Sequence, residues 1–486
     1  MSETKNILNT YPTYQATIGI EVHVQLNTNS KIFCSCLNKF GDTPNTNICP
    51  ICCGHPGTLP VLNKKVVENA ILAGLATHCT INQHAHFDRK HYFYPDLPKG
   101  YQITQDKHPI CSQGFIEIEK EDGTFKKIRI LRIHMEEDAG KNIHTTTGKS
   151  LIDLNRAGTP LLEIVSQPDI ENAYEAKNYL MQLHNIVRYL GISDGNMEEG
   201  SFRADVNVSV KKKTDESLGT RVELKNINSF RFIGQAIDFE IERQIKSIES
   251  GQTIESQTLL WDSKENKTSV MRTKEKSTDY RYFPEPDIPP LVIEQAWIET
   301  IRKQVPELPA EKLHRFHTEY GLSSYEAQTL IDDKNLAHFF EETAKKSNNP
   351  KLSANWILRD LLAYLKNHKI DIYKSPVTPD LLAGLIAEID NGTISSKIAQ
   401  TVFEEIANTG KPADILIKEK NLTQIDSEEE LTKIVMAIIR NNPENVAKYR
   451  SGNDRVFQFF IGQAMKETKG KANPAVITEL FKKHLA

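Results

Sequence analysis

Apolar and polar residues alternate one for one from Ile18 to Leu26. Ile18, Ile20, Val22, Val24 and Leu26 fall on one side of an extended chain, with Glu21, His23 and Gln25 on the other. A period of two predicts a half-buried strand. Two later stretches repeat the design. In 203–210, Arg203, Asp205, Asn207 and Ser209 oppose Ala204, Val206, Val208 and Val210; in 220–225, Arg221, Glu223 and Lys225 oppose Thr220, Val222 and Leu224. The basic loop 211–213 and the Gly219 turn make these two plausible hairpin partners. Any one of them reads as a sheet whose solvent side happens to be polar. Their recurrence, with carboxylates, amide, cations and an imidazole on the same side each time, predicts an open, mostly antiparallel sheet with one polar concave face.

The period changes to that of a helix over 63–79, where Val67, Ala70, Ile71, Gly74 and Leu75 share a face, and again over 229–250. A further strand is expected over 127–135, running into Glu136-Glu137-Asp138, and Glu163 stands alone in the apolar run 158–165. Consecutive acidic groups repel unless a cation lies near, and a lone buried carboxylate needs a partner. The four prolines between Asp279 and Pro290 stop regular structure. From about residue 294 short helices follow, with Ala354, Leu358, Leu361, Leu362 and Leu365 marking one buried helix face. The fold class expected is therefore α+β, with a sheet domain at 1–293, an all-α helical domain at 294–407 and a small helical tail domain at 408–486.

Composition narrows the class. The 486 residues are 39% hydrophobic and 26% charged, an ordinary globular balance with length for two or three domains. A formal net charge of −4 argues against a chain that coats nucleic acid non-specifically, while leaving room for a local basic patch. No apolar run is long enough to span a bilayer, and the opening Met1–Asn6 has neither a signal core nor transit-peptide character, so a cytoplasmic protein without a membrane partner is expected.

Seven cysteines suit a reducing compartment, and four of them form two close pairs, Cys34/Cys36 and Cys49/Cys52. Four thiolates on two tight turns can build a tetrahedral zinc site, closed and hence structural. Buried free thiols are the alternative, and Cys53 and His55 could replace a ligand. The segment 87–96 is dense in aromatic and charged groups, and Lys90 and Lys99 are candidates for contacting an anionic or polar substrate. Hard oxygen donors from several strands suit Mg²⁺ with a nucleotide better than zinc. Gly148-Lys149-Ser150 cannot complete a phosphate-binding loop, because position 143 is Ile where that loop needs Gly. From Arg440 onward nine Lys or Arg face four Asp or Glu, as a phosphate-backbone footprint would require and as a solvated helix face would also show.

With these residues in view, the chain resembles the GatB/GatE family, the B subunits of aspartyl/glutamyl-tRNA amidotransferases. The stretches that carry the resemblance are IGIEVHVQL, FCSC…CPIC, GHPGTLPVLN, FDRKHYFYPDLPKGYQI, HMEEDAG, DLNRAGTPLLEIVSQPDI, MEEGSFRADVNVSV, ELKNINSF, DYRYFPEPDIPPL and GQAMKETKGKANP. They cover nearly the whole chain after its first dozen residues. The resemblance implies a catalytic cradle related to glutamine synthetase and a tRNA-binding tail. It implies that ATP phosphorylates the side-chain carboxylate of Glu mischarged on tRNA(Gln), or Asp on tRNA(Asn), and that ammonia displaces the phosphate. Partners would be a glutaminase A subunit and a small C subunit, in a heterotrimer. Glu21, His23, Glu137 and Glu163 would bear Mg²⁺, with Glu136 left open as the alternative to Glu137. Lys90, Lys99, Asp205 and Asn207 would line the ammonia route or substrate pocket, and Arg450, Arg455, Lys466, Lys469 and Lys471 would meet tRNA. Zinc on Cys34, Cys36, Cys49 and Cys52 would belong to the scaffold.

Two other functions compete. A zinc-stabilised RNA-binding scaffold would use the cysteines and the basic tail but leave the acidic sheet face unexplained. A free-standing amide ligase would need a glutaminase nucleophile constellation, and none is evident here.

Overall fold

The computed structural model describes residues 6–145, 147–273, 280–423, 427–468 and 471–485. Asp279 of the proline-rich stretch and Lys469 of the expected tRNA footprint lie outside them.

In chain order the strands open with β1 (Tyr14–Gln25), β2 (Thr80–Ile81), β3 (His84–Ala85), β4 (Asp88–His91) and β5 (Tyr101–Thr104). Next come β6 (Cys111–Glu119), β7 (Phe125–Glu137), β8 (Lys141–His144), β9 (Ser150–Asp153) and β10 (Pro160–Ser166). The series ends with β11 (Phe202–Lys212), β12 (Val222–Lys225), β13 (Gln257–Asp262), β14 (Lys267–Thr273), β15 (Phe283–Pro284) and β16 (Leu291–Val292). Nine of them form one sheet in the order β14-β13-β12-β11-β1-β10-β7-β6-β2. Its pairs are antiparallel except β12 with β13. The molecule is thus a mixed α/β protein with a large sheet and a helical C-terminal region.

β1 lies at the centre and alternates as its sequence predicts: Tyr14, Ala16, Ile18, Ile20, Val22 and Val24 are buried while the residues between them are half-buried. Each fully buried Ile or Val contributes about 1.5–3 kcal/mol relative to its exposed state. The expected 203–210/220–225 pairing is present, with Val206 opposite Leu224 and Asn207 opposite Glu223. The apolar side packs on α1 (Lys64–Ala76), α2 (Ala173–Tyr189) and α3 (Phe230–Glu249). Asn63, Asn172 and Ser229 cap these helices by accepting the N–H of Lys65, Glu175 and Phe232. α3 is also the crossover that a parallel β12/β13 pair requires.

The proline-rich segment is part of this domain, not a linker. β15 pairs with β4 and β16 with β3, and Arg89 donates to Glu285 through Nε (2.7 Å) and Nη2 (2.9 Å). α4 (Gln295–Arg302) then buries Ile298 and Ile301 in the same core, so the compact units divide at Pro309/Ala310, later than residue 293. The second unit, Ala310–Ala486, contains two apolar clusters. One runs from Phe316 to Ile417 and so continues past residue 407; the other runs from Leu431 to Leu485. In the first cluster a π-helical turn at Ile357–Leu361 adds residues to the helix between Pro350 and His368. The extra rotation leaves Ala354, Leu361 and Leu365 buried but Leu358 and Leu362 only partly so.

Candidate active site

The registers of three strands place their side chains in rows across the polar face. On β1, β10 and β7, His23 stands opposite Glu163 and Glu163 opposite His134. Directly opposed residues of an antiparallel pair share a face, so these three groups must meet. His23 Nε2 lies 3.3 Å from Glu163 Oε2 and 3.7 Å from Glu136 Oε1. His134 Nε2 lies 3.5 Å from Glu163 Oε2 and 3.6 Å from Glu136 Oε2. One donor atom each from His23, Glu136 and Glu163 fall within 4.8 Å of one another.

Electrostatics couple the four groups. Burial opposes charge on His23, but its hydrogen bond to Glu163 and the field of Glu163 and Glu136 raise its pKa overall. His134 behaves likewise and is raised to about 9, with its Nδ1 buried and unpartnered. Burial would raise the pKa of Glu163, yet the two imidazoles hold it well below the usual carboxylate range. The two carboxylates and the His23 imidazole form a donor set that fits a hard divalent cation, since an imidazole proton can be exchanged for a metal.

Glu137 does not join this group. Alternation turns it to the other side of β7, where Oε1 is bound by the Lys99 ammonium and accepts the N–H of Ile103 (2.9 Å). Glu136 stands in its place, steadied by Thr104 Oγ1 at 3.2 Å. Doublet sequence alone leaves the two glutamates equivalent, and His134 two residues before Glu136 is the signal that separates them. Glu21 lies one step along β1 from His23 and faces Asp205 of β11. It accepts from Asn207 Nδ2 at 3.2 Å, while Asn207 Oδ1 is buried without a partner. Asp205 is ion-paired with Lys225, which also lies 3.5 Å from Glu223. Burial and the charges of Glu163, Asp205 and Glu223 raise the pKa of Glu21. Lys90 stands off from the carboxylates in an aromatic box, 4.9 Å from the centre of the Tyr280 ring. Burial opposes its charge, but Tyr282 and the Glu136 and Glu163 carboxylates raise its pKa.

Cys34, Cys36, Cys49 and Cys52 converge within 4.8 Å with no disulfide among them. The Cys49–Cys52 turn is closed by hydrogen bonds from Cys53 N to Cys49 O and from Cys49 N to Cys52 Sγ (3.1 Å). The Cys34 hydrogen bond, that N–H and the buried Lys31 hold the Cys52 thiol down to about 4 against the cost of burial. Such a thiol set fits zinc; Cys53 and His55 are outside it. Gly148 and Lys149 form the turn of the β8/β9 ribbon, far from the strand-to-helix setting of a phosphate loop. In the tail, Arg455 and Lys466 are exposed, whereas Arg450 Nε donates to Leu485 O (3.1 Å) and Lys471 binds Asn421 O. Among the described residues no helix is long and apolar enough to cross a membrane.

Known proteins are similar to this chain along nearly its whole length. The GatB/GatE catalytic domain model matches residues 16–299 and the GatB domain model residues 338–485. A protein of Geotalea daltonii is 54% identical over 476 residues, 97% of this chain and 99% of its own length; it is named as the B subunit of aspartyl/glutamyl-tRNA(Asn/Gln) amidotransferase. Proteins of the same name from Thermoanaerobacter pseudethanolicus and Syntrophotalea carbinolica are 50% and 51% identical over 97% of the chain, which covers 99% and 98% of their own lengths. The class is that of an amidotransferase subunit. The chain belongs to the GatB/GatE family.

Proposed function

We propose that this chain converts the side-chain carboxylate of Glu or Asp mischarged on tRNA into the amide, using ATP and ammonia delivered by a glutaminase partner. The observation that carries this reading is the His23–Glu163–His134 row with Glu136 beside it, drawn from three strands. A carboxylate is a poor electrophile. Its oxygen attacks the γ-phosphorus of ATP, ADP leaves, and the acyl phosphate now carries a good leaving group. Ammonia adds to the acyl carbon, phosphate departs with the electron pair of the C–O bond, and the nitrogen loses a proton.

His23, Glu136 and Glu163 would hold Mg²⁺, which when bound offsets the negative charge gathered between nucleotide and carboxylate. His134 pairs with Glu136 and Glu163 and holds both carboxylates in position. Glu21, Asp205 and Asn207 line the adjoining part of the face. Lys90 and the Lys99–Glu137 pair line the approach for substrate or ammonia. The four thiols would hold zinc as scaffold. The sheet would be a cradle of the glutamine synthetase kind, in a cytoplasmic heterotrimer with the glutaminase A subunit and a small C subunit. Arg455, Lys466 and neighbouring cations of the tail would meet the tRNA backbone.

The assembled complex, given ATP, glutamine and radiolabelled Glu-tRNA(Gln) or Asp-tRNA(Asn), should form amide and hydrolyse ATP only when mischarged tRNA is present. Binding of tRNA without either reaction would favour the RNA-binding scaffold instead, and amide made from glutamine by this chain alone would favour the free-standing ligase. Deleting residues 427–486 should raise the KM for tRNA about tenfold with kcat largely kept; an unchanged KM would place the footprint elsewhere.

A further inference from the structure

Two aromatic-rich segments, 91–94 and 280–283, are brought side by side where β15 pairs with β4 and Phe283 stands opposite Arg89. The His91 ring stacks on Phe283 at 4.9 Å and 21°. Tyr92 meets Tyr94 edge-on at 6.0 Å and Tyr280 at 6.3 Å, and Tyr280 meets Tyr282 at 6.3 Å. Between the two tyrosines Arg281 adopts a left-handed backbone (φ 43°), and His91 Nδ1 lies 3.0 Å from its carbonyl oxygen. A bulky residue in that conformation is strained, and such strain concentrates at ligand clamps.

The rings are left uncovered. Phe93 is 77% exposed, Tyr94 53% and Phe283 44%, with Tyr282 also exposed. Aromatic rings normally bury most of a large apolar surface, so four uncovered in one small area mark a surface that receives something. Cations are interleaved with them: Lys90 sits 4.9 Å from the Tyr280 centroid, and Arg281 is exposed. This shelf adjoins the carboxylate row. Lys90 stands opposite Gln102, whose Nε2 donates to Glu137 O at 2.8 Å, and Thr104 of the same strand reaches Glu136.

We propose that the shelf stacks the unpaired 3′-terminal bases of the aminoacyl-tRNA and so delivers the esterified side chain to His23, Glu136 and Glu163. The inference rests on the function proposed above. The carboxylate to be activated hangs from the terminal ribose, so the bases next to that ribose must pass beside the site. Unpaired bases offer flat faces to aromatic rings whatever their sequence, whereas an RNA duplex hides them. The exposed rings come from two separate segments, more stacking surface than the single adenine of ATP can use.

The test uses the assembled complex and tRNA carrying 2-aminopurine in place of the 3′-terminal adenine. Wild type should quench the fluorescence on binding. Replacing Phe93, Tyr94 and Tyr282 together by Leu should abolish the quench and raise the KM for tRNA tenfold or more, with the KM for ATP unchanged. Phe93→Leu alone, at a side chain too exposed to affect folding, should raise the KM for tRNA about threefold. Tyr94→Phe and Tyr282→Phe should retain both signals, because the rings remain. An undiminished quench and unchanged KM in the triple variant would overturn the proposal, as would a KM increase for ATP in place of tRNA. The quench needs no turnover, so a wild-type complex that makes no amide would refute the proposed function while the shelf is still read independently.

Discussion

Two neighbouring parts of the same sheet face concentrate acid, and they balance it differently. Around His23, two carboxylates face two imidazoles. Around Glu21, Asp205 is paired with the ammonium of Lys225, which also lies 3.5 Å from Glu223. An ammonium is a fixed point charge, whereas an imidazole can give up its proton and coordinate. The first arrangement can therefore exchange protons for a divalent ion, and the second is held by the protein's own cation. Glu137 belongs with the second kind, since Lys99 already neutralises it. Acid density alone does not identify a reactive site; the nature of the counter-charge does.

The widest test of this contrast is the adjacent pair on β7. Glu136→Gln should lower ATP-dependent amide formation about 10³-fold, the loss of several kcal/mol of charge stabilisation, and Glu137→Gln about tenfold or less. Steady-state rates with mischarged tRNA decide it, and equal losses would erase the distinction. Next in size, Cys52→Ser should remove bound zinc by atomic absorption and lower Tm by roughly 5 °C or more, with kcat per folded enzyme kept. Lys225→Met removes the ammonium paired with Asp205 and close to Glu223. With its ammonium partly solvent-exposed, a cost of about 1–3 kcal/mol in urea unfolding is expected, and an unaltered midpoint would show the charges to be independently solvated. The smallest effect is at Asp238 of α3, whose carboxyl burial pushes up to about 6. A raised carboxyl pKa contributes stability that is complete below the unfolded value and is lost as pH rises through 6. Asp238→Asn should thus flatten Tm against pH between about 4 and 6.5 and raise it slightly above that window.

Much of this was legible in residue order. The alternation of β1 named its buried face residue by residue, and the 203–210/220–225 pairing followed from matching patterns flanking a turn. The cysteine spacing brought four thiols to one place. Less visible features depend on distant registers. His134, two residues before Glu136, marks the side of the strand they share, but its position opposite Glu163 is what makes it part of the cluster. Prolines between 284 and 290 signal the end of regular structure but not that the segment returns to pair with β3 and β4. The same local blindness placed a domain edge before α4, whose apolar side belongs to the first core. Arg450 and Lys471 counted as free charge in the sequence, yet both hold backbone carbonyls of their own unit.

The return of β15 to β4, clamped by an Arg89–Glu285 fork that joins residues 196 apart, also bears on how the protein is made. Loop closure over so long a span is slow and comes late, after local helices and hairpins have formed. During synthesis the large sheet can assemble while half of its aromatic rim is still inside the ribosome. A chain interrupted before Tyr280 would hold the acids without the second half of the aromatic surface beside them.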